Sequence, residues 1–219
     1  MSGRADYKGP ADCPAIIPVF PLPGALLLPR GQMPLNVFEP RYLNMVDDVM
    51  GAERCIAVIQ TRPGGDRTRP PLAAVGCLGR VTSFAETSDG RYLLTLTGLS
   101  RFRLGPELTA PTPYRQARLD YAAFADLEPA EDTPERRPAL LSALRAYLER
   151  RGLAVDWEAA DAAPVEALVN SLSMALPFEP AEKQALLEAA DLVARLETLD
   201  ALLRMGAAAG EDDEPPPVQ

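Results

Sequence analysis

One short segment combines a charged pair with an aromatic ring at the start of a predicted helix. Glu39, Arg41 and Tyr42 follow a stretch of extended character, and Pro40 suits the first helical position. These three side chains are candidates for binding another protein. A structural role is the stronger interpretation, in which Arg41 ties the helix to the neighbouring strands and Tyr42 packs beneath it.

A second segment places two cations on either side of a ring. Arg101, Phe102 and Arg103 are consecutive, and arginine and aromatic side chains are favoured at interaction hot spots. Such a group could bind an apolar residue and its acidic neighbours in another protein. The alternative is that Phe102 belongs to the core and both arginines flank it in solvent.

Residues for catalysis and metal binding are scarce. The sequence contains no histidine and three scattered cysteines, which excludes histidine-based triads and four-ligand zinc sites. Its two lysines, Lys8 and Lys183, follow no glycine-rich phosphate loop. We therefore predict no catalytic residue, no cofactor and no metal. Clustered acids leave a carboxylate-based hydrolase as an alternative, as at Asp47 and Asp48, Glu128 and Glu131, and Asp156, Glu158 and Asp161.

Composition narrows the class of protein. Hydrophobic residues make up 47% of 219 residues and charged residues 24%, which is typical of a globular chain. No apolar run approaches the ~18 residues of a membrane span, and prolines interrupt any apolar leader near the start. A net charge of -9 opposes phosphate binding. We predict an unexported, cytoplasmic protein that binds neither membrane nor nucleic acid, with reduced cysteines.

The first half of the chain is predicted to form strands around one helix. Residues 16–38 are rich in proline and aliphatic residues, which indicates extended segments broken by turns. Residues 39–50 have helical spacing. Four further strands are predicted, at 55–59, 74–84, 92–97 and 115–124. Short strands with polar turns favour an antiparallel barrel or sandwich.

The second half has the spacing of helices. An acidic stretch with prolines at 126–134 marks the boundary. Apolar stripes then predict four helices, starting near Pro134, Pro164, Pro180 and Asp191. We assign 14–125 to a β-barrel subdomain, 133–205 to a helical subdomain, and 206–219 to a disordered acidic tail.

Four segments resemble one family in the expected order. PVFPLPGALLLPRGQMPLNVFEPRYLNM (18–45) is similar to the opening of the substrate-binding domain of Lon proteases. VGCLGRVTSF (75–84) resembles its glycine-containing strand pair, and GRYLLTLTGLSRFRL (90–104) its next strand and G-x-x-R-F turn. NSLSMALPFEPAEKQALLEA (170–189) resembles its helix, proline turn and following helix.

The resemblance implies a fold and a role. The fold is α+β, with a partly closed antiparallel β-barrel of the PUA-like type followed by a helical bundle. The role is non-catalytic recognition of unfolded or tagged protein segments, with a groove between barrel and helices as the binding surface. The ATPase and peptidase regions of full Lon proteases have no counterpart in this sequence, so we expect a stand-alone member.

Partners and alternatives follow from the same resemblance. The expected role is that of an adaptor or regulator of proteolysis or protein quality control, working with a separate protease or chaperone. We expect a monomer or a weak homo-dimer. PUA-like barrels also bind nucleic acid in other proteins, so a nucleic-acid-binding protein remains an alternative alongside the hydrolase.

Overall fold

The computed structural model describes residue 7, residues 9–66 and residues 68–208. The strands are β1 Ile16–Pro21, β2 Gln32–Val37, β3 Cys55–Thr61, β4 Leu72–Glu86, β5 Tyr92–Glu107 and β6 Arg115–Asp120. The helices are α1 Pro40–Met50, α2 Arg137–Arg151, α3 Trp157–Ala162, α4 Val165–Ala175, α5 Pro180–Glu188 and α6 Leu192–Ala208. Short 3-10 turns occupy Pro10–Asp12 and Pro134–Arg136.

The six strands form one sheet that closes on itself. Their order is β2-β5-β4-β3-β1-β6, and an additional pairing between β5 and β6 completes a ring. Strand β1 runs parallel to β3, whereas its pairing with β6 is antiparallel. The parallel pair forms because β2 and α1 carry the chain back to the starting end before β3 begins. The α+β class with a partly closed sheet is confirmed, but the sheet is mixed and not purely antiparallel.

Strand β5 is longer than the sequence predicts. A strand ending at Thr97 followed by a turn was expected, but β5 continues through Gly98 to Glu107. A Cβ atom on Gly98 would lie 2.1 Å from the carbonyl oxygen of Leu28. The Arg30 amide donates to the Gly98 carbonyl at 2.8 Å. This glycine therefore permits close approach of the β1–β2 loop, and the turn prediction is wrong. The predicted strand pair at 75–84 likewise lies within the single strand β4.

The four helices predicted from apolar stripes are present, with recognisable ends. Helix α2 ends at Gly152, whose φ of 62° lies in the left-handed region favoured by glycine. The Asp191 carboxylate accepts from the Ala194 amide at 2.8 Å and caps α6. Helix α3 was not predicted, because its six residues are too few to show a repeat. Its start is capped by Asp156, which accepts from the Ala159 amide at 3.0 Å.

Helix α6 extends beyond its expected end. It continues to Ala208, three residues into the segment 206–219 that was predicted to be a disordered tail. Gly206 packs closely on Tyr147 of α2, since a Cβ atom there would lie 2.5 Å from the ring. Residues 209–219 lie outside the described residues. The division into 14–125 and 133–205 stays a prediction.

Buried side chains form two clusters on the two faces of the ring. One cluster fills the inner face and contains Ile17, Val19, Ala57, Leu78, Phe102 and Leu119. The other joins the outer face to the helices and contains Leu28, Val58, Leu96, Leu140, Leu144 and Leu199. Helices and sheet thus share one core. Within the described ranges, no helix has both the length and the apolar character that crossing a membrane requires.

Candidate functional site

A cleft of about 680 Å³ opens at the end of the ring where β1 and β6 separate. Its lining residues lie between Val19 and Arg115, so the strand half of the chain forms it. They come from the end of β1, the β2–α1 junction, and the β3–β4 and β5–β6 loops. We call it the proline-walled cleft after four of its lining residues, Pro21, Pro23, Pro70 and Pro113.

Proline keeps this end of the ring open. The last paired residues of β1 and β6 are Val19 and Arg115. Beyond them Pro21 and Pro23 have no N–H to donate, so the ladder between the two strands cannot be extended regularly. The chain stays attached on its other side, where the Leu22 amide donates to the Ile59 carbonyl at 2.9 Å. One edge of β1 is therefore held by β3 while the other borders the cleft.

Phe38 supplies an exposed aromatic surface to the cleft. Side chains of β2 alternate, and Met33 and Val37 are buried. Phe38 is next in the alternation and points outward, with 64% of its surface exposed. Its ring, on the wall of a concave surface, can contact an apolar group of a bound molecule.

The predicted group Glu39, Arg41 and Tyr42 lies together on the cleft wall. The Glu39 carboxylate accepts from Arg41 Nη2 at 2.8 Å and from Nε at 3.0 Å. The Arg41 guanidinium lies 4.5 Å from the centre of the Tyr42 ring. Tyr42 packs on Phe20 of β1 with ring centroids 4.5 Å apart, and burial raises its pKa. Arg41 therefore bonds to its own helix start, and the ring of Tyr42 packs α1 against β1.

Two further arginines, Arg69 and Arg115, also line the cleft. Arg115 donates from Nε to Glu107 at 2.9 Å and from Nη1 to the Pro70 carbonyl at 2.7 Å. Arg69 donates from Nη2 to the same carboxylate at 2.8 Å. The hydrogen bond from Arg115, followed by that from Arg69, holds the pKa of Glu107 below its usual value despite partial burial. The Glu107 carboxylate thus accepts hydrogen bonds from two guanidinium groups.

Tyr114 anchors the β5–β6 loop to helix α1. Its hydroxyl donates to the Asp48 carboxylate at 2.5 Å. Burial, and next this hydrogen bond, raise the pKa of Tyr114 well above its usual value. The neighbouring Asp47 accepts from the Tyr92 hydroxyl at 2.9 Å. Both acids of this pair therefore hold strands and loops against α1.

The second predicted group, Arg101, Phe102 and Arg103, lies elsewhere. Phe102 is fully buried and Arg101 is 2% exposed, so neither side chain is available to a bound protein. The alternation of β5 turns Phe102 into the inner cluster and Arg101 toward the helices. Arg103 is exposed but is not part of the cleft lining. The binding prediction for Arg101 and Phe102 is therefore wrong, as is the alternative that placed Arg101 in solvent.

Arg101 instead joins the strand half to the helical half. Its Nε donates to Asp126 Oδ2 at 2.8 Å and its Nη2 to Oδ1 at 2.9 Å. Its Nη1 donates to the Leu187 carbonyl at 3.1 Å, near the end of α5, where the helix dipole favours a cation. Burial alone would raise the pKa of Asp126, but the hydrogen bonds and charge of Arg101 outweigh burial and lower it.

A second buried arginine continues this polar network. Arg195 of α6 donates from Nε to the Leu186 carbonyl at 3.0 Å and from Nη1 to Asn170 Oδ1 at 3.0 Å. Asn170 in turn donates to the Pro29 carbonyl at 3.1 Å in the β1–β2 loop. Burial and the nearby charge of Arg101 lower the pKa of Arg195 to about 10. The network ties three helices to the sheet.

A smaller cavity of about 250 Å³ lies between the two halves, where the groove was expected. It is bordered by the β1–β2 loop, the connecting segment and α4. An ion pair between Arg30 and Glu166 lies on its wall, and Arg30 also donates to the Asp126 carbonyl at 2.6 Å. The cavity is therefore bridged by structural contacts, and the proline-walled cleft is the larger of these two concavities.

Acids and thiols of the described residues do not have the features of a catalytic centre. The carboxylates with a resolved shift have lowered pKa values, namely Asp66, Asp89, Glu107 and Asp126, whereas a general acid needs a raised one. The three cysteines are buried and unpaired, and burial raises the pKa of the Cys13 thiol to about 11. The described ranges hold no cluster of three acids or thiols suited to a metal.

Proteases of the Lon type match most of the length of this chain. The chain is 28% identical over 202 residues to the Lon protease of Anaeromyxobacter dehalogenans, a match covering 88% of this chain and 23% of the protease. Lon protease 2 of Myxococcus xanthus is also 28% identical over 202 residues, with 88% of this chain and 24% of the protease covered. The chain thus spans about a quarter of the length of these proteases.

Solved structures of Lon N-terminal domains have a similar fold. A Lon N-terminal domain protein from Xanthomonas campestris superposes with a TM-score of 0.62 at 26% identity, covering 85% of this chain and 97% of that one. The N-terminal domain of a Mycobacterium avium complex Lon protease has the same fold, with a TM-score of 0.60 at 18% identity and coverage of 90% and 99%. The family profile of the ATP-dependent protease La (LON) substrate-binding domain matches residues 16–204. The chain therefore belongs to the Lon substrate-binding domain family.

Proposed function

We propose that this chain binds extended segments of unfolded or tagged proteins in the proline-walled cleft. The observation that carries the proposal is Phe38, a large apolar side chain that is 64% exposed on the wall of a concave surface. Exposed aromatic groups beside a polar rim are typical of protein-binding surfaces. Family membership supports a substrate-recognition role.

Within this proposal, Glu39, Arg41 and Tyr42 form one side of the binding surface. Arg41 and Glu39 keep 43% and 46% of their side chains exposed, so both remain open to hydrogen bonding by a bound segment. Tyr42 is mostly covered, and it supports the wall by packing on Phe20. Phe38 provides apolar contact at the edge of this surface.

We further propose that the chain recognises proteins without cutting them. The region shared with Lon proteases is their substrate-binding domain, and Asp126, the buried carboxylate, has a lowered pKa, which does not suit a general acid. A recognition module of this kind serves as an adaptor or regulator beside a separate protease or chaperone in the cytoplasm. The nucleic-acid alternative is disfavoured by the net charge of -9.

Binding of a permanently unfolded protein tests this proposal. A reduced and alkylated protein with a fluorescent label is titrated with the wild type, with Phe38→Ser and with Met205→Ser, and the anisotropy is measured. Met205 is a matched control because it is also 64% exposed but lies on α6. We expect Phe38→Ser to weaken binding about tenfold or more, as for an aromatic hot spot, and Met205→Ser to have no effect. Equal binding by all three proteins would refute the assignment of the cleft.

A further inference from the structure

The charges lining the proline-walled cleft oppose the charge of the whole chain. The protein has a net charge of -9, yet the charged lining residues are three arginines, Arg41, Arg69 and Arg115, and one acid, Glu39. Local potential inside a cleft is set by its lining rather than by net charge, because low-dielectric walls focus the field. Glu107, which accepts hydrogen bonds from Arg69 and Arg115, is a second acid at this wall, so three arginines face two carboxylates. The cleft is therefore a weakly cationic surface on an acidic protein.

The three arginines differ in how many of their guanidinium N–H groups already donate to an acceptor in the protein. Arg115 is held by Glu107 and by the Pro70 carbonyl, and 15% of its side chain is exposed. Arg69 shares the same carboxylate through one nitrogen and is 63% exposed. Arg69 therefore keeps donors that face solvent, and an incoming carboxylate can bind there without breaking the pair between Arg115 and Glu107.

The cleft wall near these arginines cannot bind a peptide as an added β-strand through main-chain hydrogen bonds. Pro21, Pro23 and Pro113 have no N–H, so this surface cannot donate the regular ladder that sheet addition requires. Affinity must then come from side chains. Rings and proline faces suit an apolar residue, and guanidinium groups suit the carboxylates beside it.

We propose that the proline-walled cleft selects extended segments in which acidic residues flank an apolar one. This inference rests on the proposed function and specifies the class of segment bound. Charge complementarity with Arg41 and Arg69 sets the preference, and Phe38 with Tyr42 provides the apolar contact. A segment with basic flanks is repelled by the same groups.

Three short labelled peptides that differ only in their flanks test the selectivity. Each carries one central phenylalanine, flanked by glutamates, by glutamines or by lysines. We expect the glutamate peptide to bind about tenfold more tightly than the glutamine peptide, the product of two exposed ion pairs of about threefold each. The lysine peptide should bind most weakly. The advantage of the glutamate peptide should disappear between about 0.05 and 0.5 M salt.

Charge-reversal variants test whether Arg69 causes the preference for the glutamate peptide. Arg69→Glu is compared with Arg204→Glu, because Arg204 of α6 is 61% exposed and also has a single acidic partner, Asp200. We expect Arg69→Glu to reduce binding of the glutamate peptide to that of the glutamine peptide, and Arg204→Glu to leave it unchanged. Circular dichroism and the unfolding midpoint establish that both variants fold.

The outcomes separate this inference from the proposed function. Equal binding of the glutamate and glutamine peptides, with binding still lost in Phe38→Ser, overturns the acidic selectivity and leaves the cleft as a general binding surface. Equal loss in Arg69→Glu and Arg204→Glu also overturns it, because the effect is then one of net charge. If Phe38→Ser changes the binding of no peptide, both proposals fail.

Discussion

Replacing Asp126 with asparagine removes the charge that holds Arg101 between the two halves. The substitution keeps the shape of the side chain and one acceptor oxygen. In the native protein both carboxylate oxygens accept from the guanidinium group, and Oδ2 also accepts from the Arg101 amide at 2.9 Å. The variant leaves a buried cation without its anion.

The expected loss follows from burial. Asp126 and Arg101 are 8% and 2% exposed, and breaking one partner of a buried pair costs about 3–5 kcal/mol. Arg101 keeps its bond to the Leu187 carbonyl and asparagine still accepts one hydrogen bond, so we expect the lower end, about 3 kcal/mol. Asp200→Asn is the control, since its pair with Arg204 is an exposed i,i+4 contact worth about 0.5 kcal/mol or less.

Urea unfolding measures both variants, with the single tryptophan, Trp157 in α3, as the fluorescent probe. Tryptophan fluorescence reports the helical half, and circular dichroism of the sheet reports the other. Coincident transitions are expected because the two halves share one core. A loss below about 1 kcal/mol for Asp126→Asn, or a loss equal to that of the control, would show that the buried ion pair with Arg101 does not stabilise the fold.

The Asp126 carboxylate also predicts how the stability of the protein changes at low pH. The folded pKa of Asp126 is lowered, so its contribution to stability is present above the unfolded pKa of about 3.9 and disappears as pH falls through the folded value. Asp126→Asn should therefore lose less stability than the wild type as the pH is lowered below about 4. Parallel curves for the two proteins in acid would contradict this assignment.

Two further predictions concern buried positions in the sheet and its core. Gly98→Ala should lower the unfolding free energy by about 2–3 kcal/mol, because its Cβ would lie 2.1 Å from the Leu28 carbonyl oxygen. Gly9→Ala meets no atom within 4 Å and should change urea unfolding little; similar losses in both variants would exclude the steric explanation. A thiol reagent at neutral pH should label no cysteine before unfolding, since burial covers and raises the pKa of each thiol, Cys13, Cys55 and Cys77. Rapid labelling of the folded protein would show that this core opens.

Local patterns predicted five of the six described α-helices, and they singled out three residues that line the cleft. The stripes of α2 and α6 repeat at helical spacing over several turns, so their buried faces could be assigned from the sequence. Glu39, Arg41 and Tyr42 were identified because the proline at 40 fixes a helix start next to them. Phe38 has a signal of the same kind, since it follows Val37 in the alternation of β2, although it was not singled out.

Long-range contacts could not be predicted in the same way. Asp126 lies in a stretch that has the composition of a linker, and its burial depends on Arg101, 25 positions earlier in the chain. Gly98 resembles a strand end in sequence, but its role is to admit the β1–β2 loop. Both residues act through partners that only the closed ring brings near.

The most direct test of the account is to find where an unfolded protein contacts this chain. A photo-crosslinking amino acid, p-benzoylphenylalanine, is placed at position 38 or at position 205 and irradiated with a labelled unfolded protein. Both native side chains are 64% exposed, so the two sites present the crosslinker equally to solvent. Binding in the proline-walled cleft predicts a strong adduct from position 38 that an excess of unlabelled protein removes, and little from position 205. Equal adducts from both positions, or an adduct from position 205 alone, would contradict the account.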